Sequence, residues 1–149
     1  QTLPGSSAGG EKPKFLAITQ DAGPALVKFS APMDQATGRR WGDLLLCEFH
    51  AHQILAESGL ALPAARLLDA DGRRFLEIPR FDRSGRGGRT GVVSLESLTA
   101  ATSGNLSRDW TAAAADLHRR GLIDADSLAV IRRLSAFGEL IGNTDMHFG

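Results

Sequence analysis

Apolar residues follow two different rhythms along this chain, and the change of rhythm divides it. After a Gly-, Ser- and Pro-rich opening over residues 1–13, which reads as loop, two short apolar runs follow. They are Lys14–Thr19 (KFLAIT) and Ala25–Ser30 (ALVKFS), separated by a turn signal in Gln20–Pro24. Together they predict a β-hairpin. Residues 31–40 read as a polar connection. From about Trp41 to Ser58 the spacing becomes three and four, through Leu44, Leu45, Phe49, Ala51 and Leu55, with Gly59 as the stop. That spacing predicts an amphipathic helix. The runs Arg66–Leu68 and Phe75–Ile78, joined through DADG, predict a second hairpin. Residues 83–91 (RSGRGGRTG) read as a flexible basic loop, and Val92–Leu95 as a short strand or turn.

The last third keeps the helical rhythm. Ser107 is the expected cap of a helix with Asp109 in its first turn. Trp110, Ala113, Ala114 and Leu117 form the apolar stripe, and His118-Arg119-Arg120-Gly121 closes it. Asp124 is the expected cap of the next helix. Its stripe is Val130, Leu134, Phe137 and Ile141, with Arg132, Arg133 and Glu139 largely outside. No internal repeat is evident. Strands crowd the first half and helices the second, with one helix inserted among the strands. The expected class is therefore α+β: a small antiparallel β lobe over residues 1–81, then a connector and the start of a helical lobe over residues 82–149.

Composition narrows the function. Hydrophobic residues make up 42% of the 149, enough for a core. Lys+Arg and Asp+Glu both total 17, so no general attraction to nucleic acid or anionic membrane follows. A local patch from Arg80, Arg83, Arg86 and Arg89 is one reading of that arginine cluster, and a solvated loop is the other. The single cysteine, Cys47, excludes an internal disulfide and reads as a buried thiol in an apolar stretch. No apolar run is long enough to span a membrane, which with the cysteine usage points to the cytoplasm. The chain begins with Gln and ends inside a polar run, so a piece of a longer protein is expected.

Four places carry candidate chemistry. Gly5–Lys14 has the small residues that let a backbone approach a phosphate. It lacks the lysine and following helix of a Walker loop, and entry into a strand suits a nucleotide-covering lid; a bland linker is the alternative. Lys28 lies mid-strand between Val27 and Phe29, facing either inward, where its ammonium needs a partner, or solvent. Glu48 sits among Leu44, Leu45, Ala51 and Leu55, where a carboxylate needs a cation, and Lys28 is available. A position at the stripe's edge is the other reading. In the last run Asp145 is placed to accept or orient a hydroxyl proton, with His147 shaping the loop or contacting phosphate; helix-end capping is the alternative. One Asp and one His do not make a metal site. A glycine loop, strand lysine, helix glutamate, hairpin and late aspartate follow one another in the order of a protein-kinase-like fold.

On four stretches the sequence resembles the HipA-like serine/threonine kinases, the toxin components of bacterial toxin–antitoxin pairs. SSAGGEKPKF looks like their nucleotide-covering loop. CEFHAHQILAESGLALPAARLL looks like their helix bearing the lysine-pairing glutamate and its next strand. LEIPRFDR looks like their hinge, and IGNTDMHFG like their catalytic loop. The resemblance implies ATP and Mg²⁺ as cofactors. It implies Lys28 as the phosphate grip held by Glu48, Asp145 as the catalytic aspartate, and Pro79, Arg80 and Phe81 at the adenine hinge. Ser7, Ala8, Gly9, Gly10, Lys14 and His147 join the implied nucleotide contacts, and Ser6 or Ser7 is the implied autophosphorylation site. No metal ligand is expected within the chain itself; the asparagine and second aspartate of the family pattern are expected downstream.

The implied activity is transfer from ATP to a hydroxyl of a protein substrate, with the 149 residues poor at it alone and prone to self-association through exposed apolar surface. The rival is a regulatory pseudokinase binding a helix-turn-helix antitoxin or repressor at DNA. A small-molecule kinase fits less well, because Asn143 and Thr144 precede Asp145 and the histidine follows it. A metallohydrolase on Asp145 and His147 fits least.

Overall fold

The computed structural model describes residues 13–21, 23–60, 62–84, 87–102, 104 and 109–147. Among these residues the fold is mixed α+β, with a small antiparallel sheet and four helices, and the chain forms two compact units, Gln1–Thr90 and Gly91–Gly149.

The first unit holds a four-stranded sheet. β1 (Lys14–Thr19) and β2 (Gly23–Phe29) form one hairpin, and β3 (Arg66–Ala70) and β4 (Arg73–Pro79) the other. The spatial order is β1-β2-β4-β3, antiparallel throughout. The β3–β4 turn is the tight one that DADG predicts. Asp71 and Gly72 both have positive φ, 48° and 66°, the primed-turn geometry that matches strand twist. Register places Lys14, Leu26, Lys28, Leu76 and Leu67 on one face, because directly paired residues share a face and alternate residues repeat it.

That face is the one covered by helix α1 (Ala36–Glu57), whose Gly42 carbonyl accepts from Arg74 Nη1 at 3.5 Å. Leu45 and Leu76 are buried on the two sides of this contact. The opposite face carries a row of rings: Phe15 to Phe29 at 5.8 Å between centroids, and Phe29 to Phe75 at 6.1 Å. Beside them Glu77 is buried and its carboxylate accepts from the Thr19 hydroxyl at 3.3 Å.

The α1 helix starts at Ala36, not near Trp41 as the polar run suggested. Thr37, Arg39 and Arg40 point outward, and Gly38 lies so close to Pro32 that a Cβ there would overlap the proline carbonyl. Polar residues in a first turn conceal a helix from its apolar period while exposing their side chains to water. Cys47 is exposed rather than buried. At 100° per residue it stands about 200° round the helix from Leu45, away from the sheet.

Residues 83–91, expected as a flexible basic loop, contain a minimal hairpin, β5 (Arg83–Ser84) with β6 (Gly88–Arg89).

The second unit is helical: α2 (Leu95–Thr102), α3 (Trp110–Arg119) and α4 (Ala125–Leu140). No strand forms at Val92–Leu95; Leu95 opens α2, which the sequence reading missed. Ser94 accepts from the Ser97 N–H at 3.1 Å, a local start signal in a helix of only eight residues. Asp109 is itself the N-cap of α3, accepting from Thr111 and Ala112 N–H at 2.8 and 3.1 Å, rather than a first-turn residue. Ser107 lies outside the described residues. Asp124 caps α4 through the Ser127 N–H at 2.7 Å, as expected. The α3 stripe buries Ala113, Ala114 and Leu117. The α4 stripe is shallower: Leu134 and Phe137 are half-buried, while Val130 and Ile141 are exposed.

Candidate functional site

Lys28 and Glu48 meet. Lys28 lies on the α1-facing side of β2, and Glu48 lies three residues after buried Leu45 on α1. The Lys28 Nζ is 2.5 Å from Glu48 Oε1, with the side chains 24% and 28% exposed. A pair this open contributes about 1 kcal/mol or less to stability. What it supplies is geometry: a strand ammonium held in place, with donors left over for an anion. Lys14 is the direct cross-strand neighbour of Lys28, so a second ammonium belongs to the same face. One turn beyond Glu48, His52 has a buried Nδ1 with no hydrogen-bond partner among the described residues.

The end of β4 is built differently. The Arg80 N–H donates to the Pro24 carbonyl at 2.9 Å, which extends the β2–β4 ladder by one bond. The β3–β4 ladder, by contrast, stops at Arg66 opposite Glu77. Alternation along a strand turns the backbone groups of Pro79 away from β2 and past the end of β3. The Pro79 carbonyl is thus left to one side of the strand end, and Phe81 lies in the turn that follows, where the Arg83 N–H donates to Arg80 O at 3.3 Å. The Phe81 ring is 73% exposed. Arg80 and Arg83 both grip Asp82: Arg80 through Nε and Nη2 at 2.7 and 2.5 Å, Arg83 through Nη1 at 2.7 Å. The Arg80 guanidinium, hydrogen-bonded to Asp82, is the main cause that holds this carboxyl below its ordinary value. These two arginines serve a turn and do not form a free basic patch; Arg86 lies outside the described residues.

Asp145 and His147 belong to the second unit, in the turn after α4. The Gly142 N–H donates to Glu139 O at 3.1 Å, and the Asn143 N–H donates to Gly138 O at 2.8 Å. With Gly142 at φ +65° this is a Schellman stop. Asn143 then turns its Oδ1 to accept the Asp145 N–H at 3.0 Å, and the His147 N–H donates to Asp145 O at 3.1 Å. Asp145 is exposed. Ser6, Ser7, Ala8, Gly9 and Gly10 lie outside the described residues. Among the described residues no three His, Cys, Asp or Glu side chains converge where a metal could be held, and no helix is long and apolar enough to cross a membrane.

Residues 6–148 match the model of the HipA-like C-terminal domain. The chain belongs to that family. It is also 40% identical over 149 residues to "Toxin YjjJ" of Escherichia coli (strain K12), covering 97% of this chain and 33% of that protein. The HipA-like chain thus spans about a third of the length of the curated relative it matches. No solved structure matches it. Motif reading gave no role to the clamp on Asp82 in the first unit, or to the Asn143 acceptor and Gly138 in the second. For Asn143 and Gly138 a signal exists in retrospect, since Gly142-Asn143 repeats the place of Gly59-Leu60 and Gly121-Leu122 after a helix.

Proposed function

We propose that this chain is the nucleotide-handling part of a protein-kinase-like enzyme that phosphorylates a hydroxyl of a protein substrate, within a HipA-like toxin. The observation that carries the reading is the 2.5 Å pair between strand Lys28 and helix Glu48. An ion pair that adds little stability yet sits half-open on a sheet face is better accounted for as an anion grip than as a brace.

Bound ATP would supply the phosphoryl group. Lys28, steadied by Glu48, would hold phosphate oxygens, with Lys14 adjacent on the same face. Backbone groups of Pro79 and Phe81 would meet the edge of the adenine, next to the turn in which Arg80 and Arg83 both bind Asp82. Asp145 would orient the acceptor hydroxyl and take up its proton. Magnesium is part of this reading, yet the described residues do not fit a metal site, so its ligands would come from elsewhere in the whole protein. The toxin role follows the relative's name and the family, and an antitoxin partner would accompany it.

The test is phosphoryl transfer by the full-length protein with γ-labelled ATP. Incorporation into protein that is lost in both Lys28→Ala and Asp145→Asn is the expected result. Nucleotide binding without any transfer would instead favour a regulatory pseudokinase.

A further inference from the structure

We propose that Met146 is a positioning residue for Asp145, working through the space left by the missing side chain of Gly138. This rests on the kinase reading for its functional consequence, though not for its geometry. Gly138 is the buried residue of α4. A Cβ built on it would overlap Met146 Sδ and come within 3.1 Å of Cε and 3.4 Å of Cγ. The Met146 side chain therefore lies flat on the helix at the one point where the helix has no side chain. Gly138 also gives its carbonyl to the Asn143 N–H, and Asn143 Oδ1 holds the Asp145 N–H. One glycine thus fixes the turn at both ends: by a hydrogen bond before Asp145 and by van der Waals contact after it.

A carboxylate that is itself exposed and has no side-chain partner among the described residues needs its backbone held. A hydrogen bond on one flank leaves the peptide free to pivot; a seated side chain on the other removes the pivot. Methionine suits the task, because its unbranched thioether conforms to a bare helix backbone. A larger residue at 138 would lift Met146 and carry Asp145 with it, and displacements of about 1 Å are enough to slow an oriented reaction by about a hundredfold.

The chain has two methionines, and Met33 stands in the same relation to another helical glycine, since a Cβ on Gly42 would come within 2.9 Å of Met33 Sδ. This gives an internal control. The full-length protein is labelled with ¹³C at methionine methyls and ¹⁵N at backbone amides, and compared with Gly138→Ala, Met146→Ala and Met146→Leu. Gly138→Ala should shift the Met146 methyl and the Asp145 amide while leaving the Met33 methyl in place. Met146→Ala, which keeps the helix intact, should move the Asp145 amide as well. In transfer from γ-labelled ATP, both variants should lose about tenfold in kcat with KM for ATP within about twofold. Met146→Leu should recover most of the rate. An Asp145 amide that stays put in both Gly138→Ala and Met146→Ala would overturn the proposal. A wild-type protein that transfers no phosphoryl group would overturn the kinase reading instead, with the amide shifts still deciding the positioning claim.

Discussion

The helix that runs into Leu60 and the helix that runs into Asn143 stop by the same hydrogen bonds and then diverge. At the end of α1, Gly59 and Leu60 donate to the Ala56 and Leu55 carbonyls; at the end of α4, Gly142 and Asn143 donate to Glu139 and Gly138. The end of α3 repeats the first pattern, with Gly121 and Leu122 donating to His118 and Leu117. In α1 and α3 the motif has leucine at both apolar positions; Leu60 and Leu117 are buried, Leu55 is half-buried and Leu122 is exposed. In α4 those positions hold Gly138 and Asn143. The apolar staple is gone, a methionine from beyond the turn fills the gap, and the freed asparagine caps the Asp145 amide. The first ending is spent on stability; the second gives up some stability to hold a peptide that carries an exposed carboxylate.

The largest difference between the two endings is expected at Asp145. Asp145→Asn should reduce transfer from ATP by about a thousandfold, while the urea midpoint of unfolding moves by no more than about 0.5 kcal/mol in free energy. A large loss of stability would show that the loop is structural after all. An exchange of the two endings comes next. Leu60→Asn should cost about 3 kcal/mol, because it removes buried apolar surface and leaves an amide in its place. Asn143→Leu should hold stability within about 1 kcal/mol and still slow transfer, since Asp145 N–H loses its acceptor. Equal stability losses in the two variants would erase the distinction between the endings.

Smaller effects are expected at the two stop glycines. Gly59→Ala and Gly142→Ala each force a side chain into left-handed backbone, φ +85° and +65°, at about 1–2 kcal/mol. Only the second should also change kcat. The smallest effect concerns the other end of α4. There the Ser127 hydroxyl, with its backbone N–H, lowers the Asp124 carboxyl below its ordinary value. A depressed carboxyl stabilises the fold above its unfolded value, and that contribution is lost as pH falls through its folded value. Acid unfolding should therefore lose its Asp124-dependent part in Asp124→Asn, which still caps but does not titrate. An acid profile identical to wild type would count against it.

Much of this was legible from local pattern. The two hairpins, the inserted helix, the Asp124 cap and the glycine stops all follow from residues within a few positions of one another. The ion pair was foreseeable too, because a glutamate within an apolar stripe needs a cation and one strand offered it. What was not legible came from residues whose partners lie elsewhere, or whose role is to lack a side chain. Cys47 looked buried because its neighbours are apolar, yet burial depends on which way the helix faces. The start of α1 was hidden by polar first-turn residues, and α2 was too short to show a period. Val130 and Ile141 kept the α4 spacing but lie exposed, so periodicity marks a candidate stripe without saying what covers it.

Local pattern was enough for the two hairpins of the main sheet, for the helices α1, α3 and α4, and for the glycine stops after α1 and α3, since backbone dihedral preferences and capping act over four or five residues. Only the tertiary structure decided that Lys28 turns toward α1 rather than solvent, and that Arg80 and Arg83 converge on Asp82. It also decided that Met146 rests where Gly138 has nothing. Those outcomes depend on which surfaces come within a few ångströms of one another, and that distance is set by packing, which no local pattern encodes.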